Sequence, residues 1–160
     1  MENVNFKVRF MAITAVTAAI YMVATVAIAP ISFTVVQLRL SEVMVLLAFI
    51  DKKYGPGLIL GCFIANLFSP IWMIDVVFGT LGTVIAVFGI VRSKSLFMAT
   101  LWPVISMVSV AAGIAIGSSL PYIPTLLTVM AEEFAVVVII GYPLFKILLK
   151  NEKLVNLLKF

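Results

Sequence analysis

Long apolar blocks separated by short polar, proline or glycine punctuation run the length of this chain, and their pattern predicts six helices. The first block extends from about Val8 to Ala29 and stops at Pro30, a helix terminator. Ile31 to Gln37 is rich in β-branched residues, carries Ser32, Phe33 and Thr34, and predicts an irregular or extended connection. A second block, about Leu38 to Ile50, ends at the turn sequence Asp51-Lys52-Lys53-Tyr54-Gly55-Pro56. The third, Gly57 to Phe68, is closed by Ser69-Pro70, and the fourth runs from about Met73 to Val91 before Arg92-Ser93-Lys94. The fifth covers Leu96 to Gly117. After a loop over Ser118 to Pro124, the sixth starts near Thr125 and continues past Lys146. The second and third blocks fall short of the roughly 20 residues a straight span needs, so they predict tilted or kinked helices with room for a cavity at one membrane face.

Composition turns this pattern into a fold class. With 64% hydrophobic and 11% charged residues in 160, and a mean hydropathy of +1.25, the chain reads as an all-α integral membrane protein with one domain over residues 1–160. The net charge of +4 does not point to nucleic acid, because the cations neither cluster with aromatics nor form a basic stripe. Alternating six spans places Lys7, Arg9, Lys52, Lys53, Arg92, Lys94, Lys146, Lys150, Lys153 and Lys159 on one side, which predicts cytoplasmic N and C termini and leaves Arg39 as the cation needing another explanation. Lys7 and Arg9 precede the first block as in a signal peptide, but no polar cleavage region follows, so it reads as a retained span. The tail, with Lys146, Lys150 and Lys153 opposite Leu149, Leu157 and Leu158, predicts an interfacial helix.

Several chemistries lack their parts. One cysteine, Cys62, allows no internal disulfide and reads as a packing residue, and the absence of histidine removes the usual zinc, haem and His-based catalytic sets. Glu132-Glu133 resembles an intramembrane carboxylate protease pair, but without histidine, and with Val136 where an assisting arginine would stand, an enzyme is the weakest reading. No phosphate-binding glycine loop occurs, so any use of ATP belongs to another chain.

What remains is polar chemistry within apolar blocks. Gln37-Leu38-Arg39-Leu40-Ser41-Glu42 sets an amide, a cation, a hydroxyl and an anion between two of them, where an unpaired charge costs roughly 2.5 to 3.5 kcal/mol. One reading is an Arg39–Glu42 ion pair across one helix face, with Ser41 as a cap; the other is one wall of a polar binding chamber. Asn66 near the end of the third block is either a helix cap or an amide for a heterocycle edge, and Trp72 is either a stacking face or, preferably for that residue alone, an interfacial belt residue. Asp75 opens the fourth block, favoured by the helix dipole, and Gly79 and Gly82 allow tight packing beside it. Glu132 and Glu133 point about 100° apart, so at most one faces a given cavity squarely. Gly141-Tyr142-Pro143 marks a kink or break. Glu42, Asp75, Glu132 and Glu133 against Arg39 make the outer region electronegative, suited to a cationic or donor-rich molecule. The small pairs Ala15/Ala19 and Thr14/Ala18 suit close helix approach, equally for internal packing or for docking a partner.

The ordered set Gln37–Glu42, Gly61-Cys62-Phe63-Ile64-Ala65-Asn66, Asp75-Val76-Val77-Phe78-Gly79-Thr80-Leu81, and Glu133 ahead of Gly141-Tyr142-Pro143-Leu144 resembles the QueT family over nearly the whole chain. Members are substrate-binding S components of energy-coupling factor (ECF) transporters for queuosine precursors. Ala131-Glu132-Glu133 departs from the pattern by lacking a glycine ahead of the acid. The resemblance implies a six-helix S-component fold in the cell membrane. It also implies an outward-facing pocket for a 7-deazaguanine (aminomethyl, nitrile or queuine), the transmembrane coupling subunit EcfT, and two EcfA-type ATPases that use the ATP, with no cofactor in this chain. On that footing Glu42 or Glu133 accepts from the guanine-like edge, Asn66 or Gln37 meets the ring carbonyl, and Asp75 or the remaining glutamate pairs with an exocyclic ammonium. Trp72 or Phe33 stacks the ring, Arg39 holds Glu42, and Ala15 and Ala19 dock the coupling subunit. The competing function is a self-sufficient proton-coupled carrier or channel using the same acids.

Overall fold

The first apolar block folds as a single helix, α1 (Glu2–Val26), whose faces divide by residue size and polarity. Thr17, Ala18, Tyr21 and Thr25, three or four apart, are buried, while Met11, Val16, Ile20 and Val23 are exposed as a lipid-facing side requires. The computed structural model describes residues 2–28 and 39–159. Pro30, Phe33 and Gln37, and with them the expected irregular connection, lie outside the described residues.

The second block is the short apolar helix α2 (Leu40–Ile50). It begins as a 3-10 helix over Leu40–Leu46 and relaxes to α geometry over Leu47–Ile50. Side chains three apart eclipse in a 3-10 helix, so Glu42 and Val45 share a buried edge. Asp51 then turns the chain, its carboxylate accepting from Lys53 N at 2.9 Å. Helix α3 (Gly55–Asn66) carries Pro56 in its first turn, where the missing N–H has no partner to lose. Gly57 and Gly61 bring α3 against α1: a Cβ at Gly57 would stand 2.8 Å from Thr14 O, and one at Gly61 2.8 Å from Tyr21 Cβ. Thr14 and Ala18 are therefore the internal small pair. Ala15 and Ala19 face outward and are exposed.

The last three blocks form the long helices α4 (Trp72–Arg92), α5 (Leu96–Ser118) and α6 (Tyr122–Lys150). With α1 they supply four helices of a length and apolarity sufficient to cross a membrane. Ser95 caps α5 by accepting from Met98 N at 3.2 Å, and Ser119, with φ 53°, ends it in the left-handed conformation. Helix α6 starts at Tyr122, three residues earlier than expected, because Pro124 fits in the first turn of a helix. Gly141-Tyr142-Pro143 does not break it: a wide π segment runs over Phe134–Gly141, and Pro143 stands in the first turn of the α geometry that resumes at Tyr142. The tail detaches at Asn151, whose side chain accepts from Leu154 N at 3.3 Å to start α7 (Glu152–Leu158).

Among the described residues the fold is all helical, with α3 on α1 and α4, α5 on α4 and α6, and α2 wedged between α1 and the π segment of α6. One apolar cluster gathers Tyr21, Leu46, Leu58, Ile90, Val136 and Val137. A second gathers Val110, Ala111, Ile114 and Val129. Where the two meet, a polar cavity opens.

Candidate functional site

Buried polar groups in an apolar helix bundle need partners, and here several find them across helices. On α1, the Tyr21 phenol donates to Glu42 Oε1 on α2 at 2.5 Å, and Thr25 Oγ1 lies 2.7 Å from Ser41 Oγ while donating to Tyr21 O at 2.9 Å. Two α1 hydroxyls thus hold the polar edge of α2. Ser41, expected as a helix cap, bonds to Thr25 instead; the residue preceding the helix is Arg39, which makes no side-chain cap.

Arg39 turns the other way. Its Nη1 donates to Asn66 Oδ1 at 3.1 Å and its Nη2 lies 4.0 Å from Asp75 Oδ2, all three groups being buried. Among its described contacts Arg39 reaches Asn66 and Asp75, while its charge and that of Glu42 also act on each other. The 3-10 geometry of α2 and the phenol on α1 give Glu42 a donor of its own, and the guanidinium is left to bridge α2, α3 and α4. Asp75 also accepts a hydrogen bond from Ser69 Oγ, which ties the loop before α4 to its first turn. Asn66 is fully buried and saturated: its Nδ2 donates to Asp75 O at 2.9 Å and contacts Cys62 Sγ at 3.4 Å. Thr83 Oγ1 lies 3.0 Å from the same sulfur and donates to Gly79 O at 3.1 Å. Gly79 permits this crowding, since a Cβ there would stand 2.7 Å from Asn66 Nδ2.

The cavity in front of this network is lined, among the described residues, by Arg39 and Glu42 from α2, Gly79, Thr83 and Ala86 from α4, Ser106, Met107 and Val110 from α5, and Val129, Glu132 and Glu133 from α6. Its volume is about 20 Å³, room for a water molecule and far below the ~300 Å³ or more of typical small-molecule sites. A larger guest requires the walls to part. Glu133 is 5% exposed, and its Oε1 is buried with no hydrogen-bond partner. A carboxylate oxygen left unsatisfied in an apolar bundle is costly to keep, and a ligand donor is what would relieve it.

The sequence-predicted residues therefore separate. Glu42 and Glu133 line the cavity, and so does Arg39. Asn66 and Asp75 stand behind Arg39, away from the lining, as its counter-groups. Trp72 is half exposed at the start of α4 and is not among the described residues that line the cavity. Phe33 and Gln37 fall outside the described residues. Glu132 and Glu133 both line the cavity, Glu133 buried and Glu132 half-buried, at the end of the α-helical part of α6. Sequence reasoning missed Tyr21, Thr83, Ser106 and Met107. The first three are polar groups inside apolar blocks, the one signal that would have found them. Met107 carries none, although a thioether suits the face of a planar ring.

A helical bundle with membrane-crossing segments and a mixed-charge cavity between its helices is the build of a membrane protein that handles a small polar solute. The comparisons specify which. A family profile described as "QueT transporter" matches residues 11–150, and the chain belongs to that family of transporters. A Lactococcus lactis subsp. cremoris (strain MG1363) protein named queuosine precursor transporter QueT is 29% identical over 138 residues, covering 76% of this chain and 81% of that protein. No solved structure matches.

Proposed function

We propose that this chain is the substrate-specificity subunit of an ECF importer, taking up a queuosine precursor of the 7-deazaguanine class and delivering it through a coupling subunit EcfT and two EcfA-type ATPases. Family membership and the name of the Lactococcus relative support a queuosine precursor as the solute. The observation that carries the site assignment is the unsatisfied Glu133 carboxylate in the cavity. A guanine-like edge presents adjacent ring and amino N–H groups that a carboxylate accepts in bidentate fashion, so Glu133 is assigned the ring edge. Met107 and Val110 offer apolar contact to the ring in place of Trp72. Arg39, held by Asp75 and Asn66, fixes the polar wall.

Six helices crossing the cell membrane, with α2 and α3 as the two short spans and both termini cytoplasmic, are part of this proposal, supported by the gathering of Lys and Arg on one side that this arrangement gives. The exposed Ala15 and Ala19 on α1 support a docking face for the coupling subunit, since small residues let another helix approach closely. The absence of a phosphate-binding loop from the sequence supports ATP hydrolysis by partner chains.

Calorimetry of the purified protein with 7-aminomethyl-7-deazaguanine tests the assignment: binding by the wild type and at least about tenfold weaker binding by Glu133→Gln are expected, corresponding to about 1.4 kcal/mol. Equal affinity in both removes Glu133 from the site. Reconstitution in vesicles tests the assembly. Uptake only when the coupling subunit and ATPases are present is expected; uptake by this chain alone would instead establish the self-sufficient proton-coupled carrier that a carboxylate-lined cavity could also serve.

A further inference from the structure

Between α1, α2 and the tail helix α7 lies an open groove of about 380 Å³ that shares no lining residue with the polar cavity. Ile13, Val16 and Ile20 of α1, Met44 and Leu47 of α2, and Leu158 of α7 form its walls. The Tyr54 hydroxyl beside them is engaged by Leu158 O and Thr17 is buried, so the groove meets a guest with an apolar surface. From Ala12 to Ile20 it follows α1 for a rise of about 12 Å, close to the ~15 Å depth of one hydrocarbon leaflet. At its end nearer the N-terminus the character changes. Ile13 also lines a second recess, together with Phe6, Phe10, Arg9 and Lys53. Hydrocarbon walls thus give way to two cations within about one helical turn, and the exposed Lys7 and Lys52 stand close to them in sequence.

We propose that this joined surface binds an anionic phospholipid, with one acyl chain along the α1–α2–α7 groove and the headgroup phosphate received by Arg9 and Lys53. The inference stands on the membrane character of the chain and uses no part of the transport reading. Lys53 has neighbours already, Asp51 at 4.0 Å and the Phe6 ring centre at 5.3 Å. An ammonium carries three donors and a guanidinium five, so a phosphate can be received with existing contacts kept. A zwitterionic headgroup would bring a further cation among Arg9, Lys52 and Lys53; a headgroup of net negative charge brings none. An apolar helix of a partner protein would fill the groove but would not match the cations at its end, whereas a phospholipid matches both.

Native mass spectrometry of the full-length protein in detergent, titrated with phosphatidylglycerol, phosphatidylcholine and glycerol 3-phosphate, separates chain from charge. Wild type should bind one phosphatidylglycerol at least about tenfold more tightly than phosphatidylcholine and should not retain glycerol phosphate. Arg9→Gln and Lys53→Gln, neither in the packed core, should each weaken phosphatidylglycerol about fivefold, while Lys94→Gln, a cation lining neither recess, should leave it unchanged. Ala12→Trp, at an exposed position in the groove, should weaken both lipids with the charges intact. Equal retention of the two lipids, glycerol phosphate bound as tightly as phosphatidylglycerol, or a loss from Lys94→Gln as large as that from Arg9→Gln overturns the proposal. So does a groove that takes no lipid and instead crosslinks, through Val16→Cys, to the coupling subunit of the assembled complex.

Discussion

Tyr21 on α1 donates its phenol proton to Glu42 on α2 at 2.5 Å, and this bond ties the wall of the cavity to the helix that exposes Ala15 and Ala19. The two sides of α1 do different work. One is threonine- and tyrosine-lined and holds α2; the other exposes Ala15 and Ala19 beside Val16 and Ile20.

Tyr21→Phe should remove that donor while leaving the ring in its fully buried place. A buried acceptor stripped of its partner costs about 1–3 kcal/mol, so thermal unfolding in detergent should begin at a lower temperature, with weaker ligand binding. Glu42→Gln keeps an acceptor for the phenol and should unfold near the wild-type temperature. A Tyr21→Phe protein as stable as wild type would show that the bond contributes nothing.

Asn66→Asp should act on stability first. The amide donates to Asp75 O and accepts from Arg39, and a carboxylate in its place loses the donor and faces a carbonyl oxygen. We expect a loss of about 1–3 kcal/mol, larger than that of Glu133→Gln, which breaks no hydrogen bond within the protein. Chemical unfolding monitored by circular dichroism compares the two directly.

Gly61→Leu and Ala19→Leu should separate folding from assembly. A side chain at Gly61 meets Tyr21 Cβ and Ala18 O within 3 Å, so α1 and α3 must part at a cost of about 1–3 kcal/mol. Ala19 is exposed, and the larger residue there should leave the melting temperature unchanged while reducing co-purification with the coupling subunit. Normal complex formation by Ala19→Leu together with Ala15→Leu would remove that face of α1 from the docking surface.

Tyr54 gives a pH-dependent readout outside the membrane-spanning helices. Its hydroxyl donates to Leu158 O at 3.0 Å, tethering α7, and burial together with the nearby Asp51 charge holds the phenol above the ordinary tyrosine range. The folded state thus favours the neutral phenol. Its contribution is complete below the unfolded value of about 10 and disappears as pH climbs through the higher folded value. Limited proteolysis at Asn151 should be slow through neutral and mildly alkaline pH and accelerate only beyond that. Tyr54→Phe should be cleaved faster throughout.

The sequence by itself determined the helical blocks, their membrane character, and the acids Glu42 and Glu133, because hydropathy over a span and the cost of a charge within it are local quantities. It located helix ends less well where proline could be absorbed, as at Pro124 and Pro143, since a first turn or a π segment forgives a missing N–H. Only the tertiary structure decided partners. Arg39 had Glu42 as its sequence neighbour, yet it bonds Asn66 and approaches Asp75, residues 27 and 36 positions away, while Glu42 takes a phenol donor from α1. Asn66 and Asp75 thereby became supports of the wall, and Trp72 stayed at the surface. The burial of Glu133 exists only because α2, α4, α5 and α6 close around it; desolvation is a property of the assembled bundle and is written in no single helix.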